Sequence, residues 1–325
     1  MSSEESHGTS RGQFLKRAAG ATVVVAGAGV GAGAFAPQAA ASSSLTSSRF
    51  SLELDGINVG RLAGADGGGL EYDVVLDPPS STGGDGVQNK HIGGVKYEDF
   101  TIRIGSNMDA AMYDWIKNSF DKGYTTKNGA LIAGDFNYNE VRRIEFTDAF
   151  ITEVTSPPLS ALASPGYFTV KFSPTLVTDV APSGAPVQAA KHKAWLCSSF
   201  RLIVQGVDTT RLASVDSFTW KQRISPADST HDISVGDLGV TFDQASLPSW
   251  QRWYDNFAVG GDATDERSGV VELVGANGGG VLNLGLTGLG LYQLRKTRGL
   301  SSGASGQTRA AVYARKGHWD LAVAK

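Results

Sequence analysis

Three acidic side chains near residue 262 form the group in this sequence that most resembles a metal site. Asp262, Asp265 and Glu266 lie within GGDATDER, and carboxylate oxygens are the ligands that Ca²⁺ prefers. A calcium loop needs oxygen ligands at alternating positions and a closing glutamate, and this segment has neither. We therefore predict a solvated turn here and no metal.

The histidines do not form a catalytic or metal-binding group either. They are scattered singly in polar surroundings, at His91, His192, His231 and His318. The sequence also contains no Gly-x-Ser-x-Gly nucleophile motif, no His-Glu-x-x-His helix and no phosphate-binding loop. We therefore expect a protein that is not an enzyme and that needs no cofactor.

Tryptophans are the third group that could take part in binding, because exposed indole rings can hold a sugar. Trp115, Trp250 and Trp253 lie in segments whose apolar residues recur at helical spacing. Asn107 can cap the first helix, within NMDAAMYDWIKNSF, and Ser246 can cap the second, within SLPSWQRWYDNF. We therefore predict that Trp115 and Trp253 anchor two helices in the protein core.

The composition of the chain indicates the fold class that positions these residues. The chain has 325 residues, of which 41% are hydrophobic and 19% charged, and it contains 41 glycines. This length suits two domains, and the many short alternating segments favour a mainly β fold. The net charge of −3 and the lack of a basic cluster argue against nucleic-acid binding. The single cysteine, Cys197, permits neither an intramolecular disulfide nor a multi-cysteine metal site.

The N-terminal residues 1–41 have the features of an export signal. A basic segment, SRGQFLKR, precedes the weakly apolar stretch AAGATVVVAGAGVGAGAFA. Ala39 and Ala41 then form a small-residue cleavage site, which predicts a mature protein that begins near Ser42. No later segment is apolar enough to span a bilayer. We therefore expect an exported protein, located outside the cell, on its surface or in the periplasm.

The signal resembles the twin-arginine type, with Phe-Leu-Lys after Arg11. Gly12 stands where the second arginine of that motif should be. The general secretory route therefore remains open.

An internal repeat is the strongest feature of the remaining chain. RFSLELDG at 49–56 returns as SFRLIVQG at 199–206, and both copies are followed at the same distance by Arg-Leu-Ala. With small changes of offset the parallel continues: Phe100–Ile104 corresponds to Leu238–Phe242, Trp115 to Trp253, and EVRRIEFTDAF to GVLNLGLTGLG. Shared ancestry explains such ordered matches better than chance does.

The repeat predicts two tandem copies of one mainly β domain, each with one short flanking helix. The expected division is a signal peptide at 1–41, a first domain at 42–180, a linker at 181–197 and a second domain at 198–325. The linker assignment rests on APSGAPVQAAKHKAW, which is rich in proline, glycine and alanine.

The first copy resembles the phage tail tube protein family, whose fold is shared with the tubes of contractile injection systems and type VI secretion. Over residues 49–178 it has the family's ordered motifs. They are the opening strand (Phe50, Leu52, Leu54, Asp55, Gly56), the Gly-x-x-Lys-Tyr segment and its strand (Gly93, Lys96, Tyr97, Phe100–Gly105), the helix pair (Trp115, Ile116), the Asn-Gly turn (Asn128, Gly129) and the closing strand (Phe146, Ala149, Phe150). The second copy has Gln205 in place of the aspartate and lacks the Lys-Tyr segment.

The resemblance implies two β-barrel or β-sandwich domains whose edges join into six-fold rings that stack into a hollow tube. Such rings pair strand edges that would otherwise promote aggregation. Three two-domain chains would then close a ring with pseudo-six-fold symmetry. It also implies that the loop DPPSSTGGDGVQNKHI contacts the next ring, and we take as its candidate stacking residues Asp77, Ser80, Gly83, Asp85, Gly86 and Lys90. A flexible surface loop is the alternative.

The resulting hypothesis is an exported structural protein that assembles with itself by β-edge pairing and loop stacking. Other tail or injection-system components are further partners that the resemblance implies. The alternative is a secreted tandem β-sandwich that binds a glycan or a surface partner.

Overall fold

Alternation of apolar and polar residues produces most of the structure. The computed structural model describes residues 49–77, 89–106, 108–121, 124–160, 165–187, 195–224, 231–275, 280–297 and 306–321. All of them belong to one unit, Ala40–Lys325. In FTIRI, for example, Phe100, Ile102 and Ile104 are fully buried while the residues between them are more exposed, as expected for a strand with one face on the core. The prediction of a mainly β fold is confirmed.

The first half of the chain contains twelve strands and one helix in its described part. They are β1 (Phe50–Leu54), β2 (Ile57–Leu62), β3 (Gly64–Asp66), β4 (Leu70–Leu76), β5 (Lys90–Tyr97), β6 (Phe100–Ile104), α1 (Ala110–Asp121), β7 (Thr126–Gly134), β8 (Glu140–Thr155), β9 (Leu159–Ser160), β10 (Pro165–Gly166), β11 (Phe168–Ser173) and β12 (Leu176–Val180).

The described part of the second half contains nine strands and one α-helix. They are β13 (Trp195–Leu196), β14 (Phe200–Val204), β15 (Leu212–Val215), β16 (Thr219–Ile224), β17 (His231–Val235), β18 (Leu238–Asp243), α2 (Leu247–Tyr254), β19 (Arg267–Val274), β20 (Gly280–Thr297) and β21 (Gln307–Leu321). A short 3₁₀ turn precedes α2, and a π-helical turn (Asp255–Val259) extends it.

Two large antiparallel sheets contain most of these strands. The first sheet has the order β2-β1-β7-β8-β11-β6-β3, with β12 and β16 also paired to β8 and with β17 paired to β16. The second sheet has the order β14-β19-β20-β21-β18-β15-β9. In the described part of the chain, β4 and β5 pair only with each other, and β10 pairs with β13.

The two sheets have the same strand order when the strands are matched by chain position. The central series β1-β7-β8-β11-β6-β3 corresponds to β14-β19-β20-β21-β18-β15. The residue pairing also agrees: Leu52 faces Leu131 as Leu202 faces Val271, Gly129 faces Phe146 as Gly269 faces Leu286, and Val170 faces Ile102 as Ala310 faces Val240. Even the β-bulge after residue 151 has a counterpart after residue 291.

The turn between β1 and β2 is where the two halves differ most. Asp55 and Gly56 both have positive φ, 48° and 82°, which is the geometry of a tight hairpin turn. The Asp55 carboxylate accepts hydrogen bonds from Lys127 and from the backbone of Asn128, and so ties this turn to β7. The second half has Gln205 at the aspartate position, and none of its described residues form a counterpart of β2, so β14 lies at the edge of the described second sheet.

The two helices begin close to the predicted positions, with different caps. Ala111 donates its backbone N–H to the Asp109 carboxylate at 2.9 Å, so Asp109 caps α1, whereas Asn107 lies outside the described residues. Ser246 does occupy the N-cap position of α2, but its hydroxyl donates to Asp208 at 2.9 Å instead of accepting from the helix backbone. Asp109 thus supplies a capping bond at the start of α1, whereas the Ser246 side chain makes none at the start of α2.

Both helices cover the core with their tryptophans. Trp115 and Trp253 are fully buried, and each indole N–H donates to a backbone carbonyl after its helix, that of Thr125 at 3.1 Å and that of Asp265 at 3.0 Å. Trp250 is also fully buried and stacks on Phe242 with ring centroids 4.6 Å apart. The buried apolar residues of the two halves form one continuous cluster.

Candidate functional site

The contact between the two halves of the chain is built on the hairpin β16–β17. Strand β16 pairs with β8 of the first sheet, with Thr219 opposite Thr155, Trp220 opposite Val154 and Lys221 opposite Glu153. The pairing begins where β7 has ended along the same edge of β8, since β7 reaches only as far as Phe150. A hairpin of the second half therefore extends the sheet of the first half.

An aromatic cluster buries the inner face of this hairpin. The Trp220 ring centroid lies 4.7 Å from that of Phe218 and 5.2 Å from that of Trp319 on β21. Trp319 in turn lies 5.1 Å from Phe168 on β11. Both tryptophans are fully buried, and each aromatic pair of this kind adds about 0.5–1.5 kcal/mol beyond the area that it buries. The cluster thus joins strands from both halves.

Buried polar groups determine the register of the same contact. Gln222 is almost fully buried, its amide donates to the Ile151 carbonyl, and its carbonyl accepts from His231 Nε2 at 2.7 Å. Phe218 and Ser156 bond to each other through two hydrogen bonds, of 3.0 and 3.1 Å. A slip of one residue would leave these buried groups without partners, which costs about 1–3 kcal/mol for each group.

Helix α1 also contacts the second half. The Lys117 ammonium donates to the Trp319 carbonyl at 2.8 Å and lies beside the carboxylates of Asp121 and Asp320. The hydrogen bond to Asp121 is the main reason that the pKa of Lys117 is raised above its ordinary value. A second strand contact, between β9 and β15, pairs Leu159 with Val215.

The acidic group near residue 262 is a turn held by protein contacts. Asp262 accepts from the backbone N–H of Thr264 at 3.0 Å and from its hydroxyl, and these bonds lower the pKa of Asp262. Asp265 forms an ion pair with Arg267, and Glu266 accepts from the Tyr313 hydroxyl at 2.7 Å. Within the described ranges, no group of acidic, histidine or cysteine residues has the geometry to hold a metal ion.

The described histidines each contact a different residue. His91 pairs with Asp77 at 2.9 Å, His231 bonds to Gln222, and His318 lies 3.2 Å from Asp320. His192 lies outside the described residues. Cys197 is buried and free, and burial raises the pKa of its thiol. In the described structure, these residues do not form a nucleophile-and-base pair.

The tryptophans provide no exposed aromatic surface in the described structure. Five of them are fully buried: Trp115, Trp220, Trp250, Trp253 and Trp319. The side chain of the sixth, Trp195, lies outside the description. A glycan-binding platform on Trp115, Trp250 or Trp253 is therefore not available.

The candidate stacking loop is the tip of the hairpin β4–β5. Asp77 and Lys90 lie at the base of this tip, where the Asp77 backbone N–H donates to the Asn89 carbonyl at 3.0 Å. Ser80, Gly83, Asp85 and Gly86 lie outside the described residues, as do the signal residues Ala39 and Ala41. Their roles remain predictions.

Sequence reasoning missed the residues that join the two halves, above all Trp220, Gln222 and Trp319. A signal was present, because FTWKQRI alternates apolar and polar residues and so has the pattern of a half-buried strand. The pattern does not say which sheet edge the strand pairs with, and here it is the edge of β8 in the other half.

Comparison with known proteins gives one family match. The model of the family described as T4-like virus tail tube protein gp19 matches residues 46–169, which confirms the resemblance of the first copy. Tail tube proteins are structural, so the match also supports the expectation that the chain is not an enzyme. No curated protein matches the chain.

Several solved structures are similar to this chain over about two fifths of its length. The sheath–tube complex of an extracellular contractile injection system in its extended state contains a chain that is 18% identical, covering 41% of this chain and 89% of its own, with a TM-score of 0.34. The tube-terminating cap of the anti-feeding prophage is 21% identical, with the same coverage and TM-score. Hcp1 from Flavobacterium johnsoniae is 16% identical, covering 42% of this chain and 96% of its own, with a TM-score of 0.27.

Proposed function

We propose that this chain, whose residues 46–169 belong to the T4-like virus tail tube protein family, is a structural subunit that assembles with further copies of itself into rings and tubes. The observation that carries the proposal is the contact between its two halves. There, β16 of the second half pairs with the open edge of β8, and so adds one strand to the sheet that the first half forms. This is edge-to-edge joining of two tube-type units, made once within each chain.

The proposal includes a tandem duplication. Support comes from the equal strand order of the two sheets. The residue pairing is also equal when β1–β7 is compared with β14–β19, and β7–β8 with β19–β20. Unrelated sheets do not share a register over so many pairs, because a shift of one residue moves every side chain to the opposite face. Each chain then occupies two of six positions, and three chains close a ring.

Native mass spectrometry of the mature protein tests the proposed assembly. We expect trimers or multiples of trimers at micromolar concentration, because ring contacts of this type bury on the order of 1,000 Å² or more. Negative-stain images should show rings of matching size. A monomer at every concentration, with no rings in the images, would contradict the proposed function.

We also propose that the subunit is exported before it assembles. Support comes from the basic, apolar and small-residue segments of residues 1–41. None of the helices within the described ranges has the length and apolar character that a membrane span requires. The expected mature N-terminus is near Ser42, and N-terminal mass spectrometry of the secreted protein measures it.

A cleavage-site variant is the control for export. Ala39→Asp with Ala41→Asp should block processing, because the site needs small uncharged residues. If the secreted form of the unmodified protein still began at Met1 or Ser2, this part of the proposal would be wrong.

A further inference from the structure

The hairpin β4–β5 presents an apolar face that no described residue covers. It pairs with no strand outside itself in the described structure. Leu70 is 48% exposed, Tyr72 52% and Val95 53%. An isolated two-stranded hairpin is marginally stable in water, and a contiguous exposed apolar patch marks an interaction surface. The other half of the chain shows how such a hairpin can be covered.

The hairpin β16–β17 is the counterpart of β4–β5, and it is covered. Trp220 faces Val235 as Leu70 faces Tyr97, and Gln222 faces Ile233 as Tyr72 faces Val95. Trp220 and Gln222 are buried, and their strand pairs with β8 of the first sheet, whereas their counterparts Leu70 and Tyr72 are exposed. One hairpin of the pair is thus docked on a sheet edge and the other is not.

The sheet edge that corresponds to the docking site is also open. In β8, the residues Glu153–Thr155 receive β16 on the side that β7 has left free. The corresponding residues of β20 are 293–295. The pairing of β19 with β20 stops before them, at Leu289 of β20. In the described part of the chain they pair only with β21. Leu294 is half-buried, whereas its counterpart Val154, which lies under β16, is fully buried.

We propose that the hairpin β4–β5 of one chain docks on residues 293–295 of β20 in a second copy of this chain. The register copied from the internal contact places Leu70 opposite Leu294 and Glu71 opposite Gln293. A second copy is the occupant because the chain itself contains the docked form of the same hairpin. The inference rests on the proposed function and specifies the contact by which the chains join.

The charges at the two surfaces agree with this docking. In the internal contact, the Lys221 ammonium lies 3.3 Å from the Glu153 carboxylate. In the proposed register Glu71 lies opposite Gln293, so the exposed Arg295 is the diagonal neighbour of Glu71 on the same face of β20. Opposite charges across such an edge favour the correct partner and register.

The proposed contact is of the head-to-tail kind that a ring requires. The proposed contact joins a first half to a second half, so each chain uses two different surfaces. The internal contact already relates one half to the other by one step of the ring. When the contact between chains repeats that step, successive copies join head to tail, which excludes a two-fold dimer and gives a ring where the rotation closes.

Disulfide cross-linking tests the contact with a matched internal control. Glu71→Cys with Gln293→Cys introduces thiols at facing positions of the proposed contact. Lys221→Cys with Glu153→Cys introduces them at the corresponding positions of the observed internal contact. All four side chains lie at or near the surface, and the native Cys197 is buried.

The expected result after mild oxidation is a different product for each pair. The Glu71/Gln293 variant should give disulfide-linked dimers and trimers that reductant removes. The Lys221/Glu153 variant should stay a monomer on the gel, with its internal bond detected by mass. A mismatched pair, Glu71→Cys with Arg201→Cys, should give at least about tenfold less linked product, because distant Cβ atoms cannot be bridged.

The outcomes separate this inference from the proposed function. Rings in the images without Glu71/Gln293 linkage above the mismatched pair would overturn the docking while the proposed function stands. A Glu71/Gln293 bond formed within one chain would also overturn it. Absence of rings and oligomers in the unmodified protein would instead contradict the proposed function.

A substitution on the hairpin gives an independent test. Tyr72→Asp should raise the concentration needed for ring formation by about tenfold or more, because docking would bury an unpaired charge. The melting temperature of the monomer should not change, since Tyr72 is exposed there. Ile57→Asp, at a site that is 53% exposed on β2, is the control and should leave assembly intact. Equal assembly of the two variants would contradict the proposed docking.

Discussion

Trp115 and Trp253 perform the same task in the two halves of the chain. Each ring is fully buried beneath its helix, and each indole N–H bonds to the backbone that follows the helix, 10 and 12 residues later. The ring therefore attaches the helix to the core, while the hydrogen bond positions the segment that leads into the next strand. Both contributions are lost together when the side chain is removed.

We predict that Trp115→Ala and Trp253→Ala each lower the free energy of unfolding by about 3–5 kcal/mol, because each leaves a large cavity. Thermal or denaturant unfolding, followed by circular dichroism, measures the change. Phe136→Ala is the control, since this ring is 83% exposed, and it should have a small effect. Unchanged unfolding of both tryptophan variants would contradict their role as anchors.

Asp55 makes the stability of the first half depend on pH. Burial by itself would raise the pKa of Asp55, but the hydrogen bonds from Lys127 and the Asn128 backbone outweigh it, and the pKa is lowered. A carboxylate with a lowered pKa in the folded state stabilises the protein above the unfolded value of about 3.9. That stabilisation is lost as the pH falls through the folded pKa.

We predict that Asp55→Asn lowers the melting temperature at pH 7 and reduces its further loss on acidification below about pH 4. The reason is that asparagine keeps the size of the side chain but cannot lose a charge. Melting curves between neutral and acidic pH measure both effects. Asp114→Asn, at an exposed position of α1, is the control. If the melting temperature of Asp55→Asn fell with pH as much as that of the unmodified protein, the prediction would be wrong.

At the scale of the elements, the hairpin β16–β17 depends on close approach to β21. A Cβ atom added at Gly317 would lie 2.3 Å from Trp220 Nε1, which is closer than non-bonded atoms can approach. Only glycine leaves room there for the indole between the two halves. The absence of a side chain on β21 is therefore part of what allows the docked hairpin.

We predict that Gly317→Ala destabilises the protein by about 1–3 kcal/mol through overpacking. The strain falls on Trp220, so limited proteolysis should cut the β16–β17 region faster than in the unmodified chain. Gly94→Ala is the matched control, because a Cβ atom there would have no heavy atom within 4 Å. If proteolysis of the two variants were equally slow, the steric role of Gly317 would be refuted.

At the scale of the whole molecule, the hairpin β4–β5 has two parts with different expected tasks. Its stem carries the face that we propose docks on a second copy. Its tip contains the candidate stacking residues beyond Asp77, whose contacts with His91 and Asn89 close the end of the stem. The tip can therefore be changed without removing the stem.

We predict that deletion of Ser80–Gly86 leaves rings intact and reduces their stacking into tubes, because the stem that joins chains within a ring is retained. Negative-stain images give the ring count and the tube length. A loop of the same length built from glycine and serine is the control, since it separates loop length from side-chain contacts. Tubes of full length after the deletion would argue against a stacking role.

The sequence alone determined the elements and their repetition. Alternation in FSLEL and FTIRI, and helical spacing around Trp115 and Trp253, depend on short-range periodicity that any fold must satisfy to bury one face. For the same reason the repeat could be detected: Phe50 and Phe200 stand at equivalent positions of paired strands in both sheets. These patterns are local, because each of them spans only a few neighbouring residues.

Only the tertiary structure decided which sheet each hairpin joins. Strand pairing between Trp220 and Val154 connects residues 66 positions apart, and a period-two pattern is equally compatible with any open edge. The same limit applies to the cap that Asp109 provides for α1, since capping depends on where the first turn closes against the core. Backbone hydrogen bonds between distant strands depend on the packing of whole faces, and here Trp220 packs against Gly317 and Trp319 of the second sheet while its strand pairs with β8 of the first.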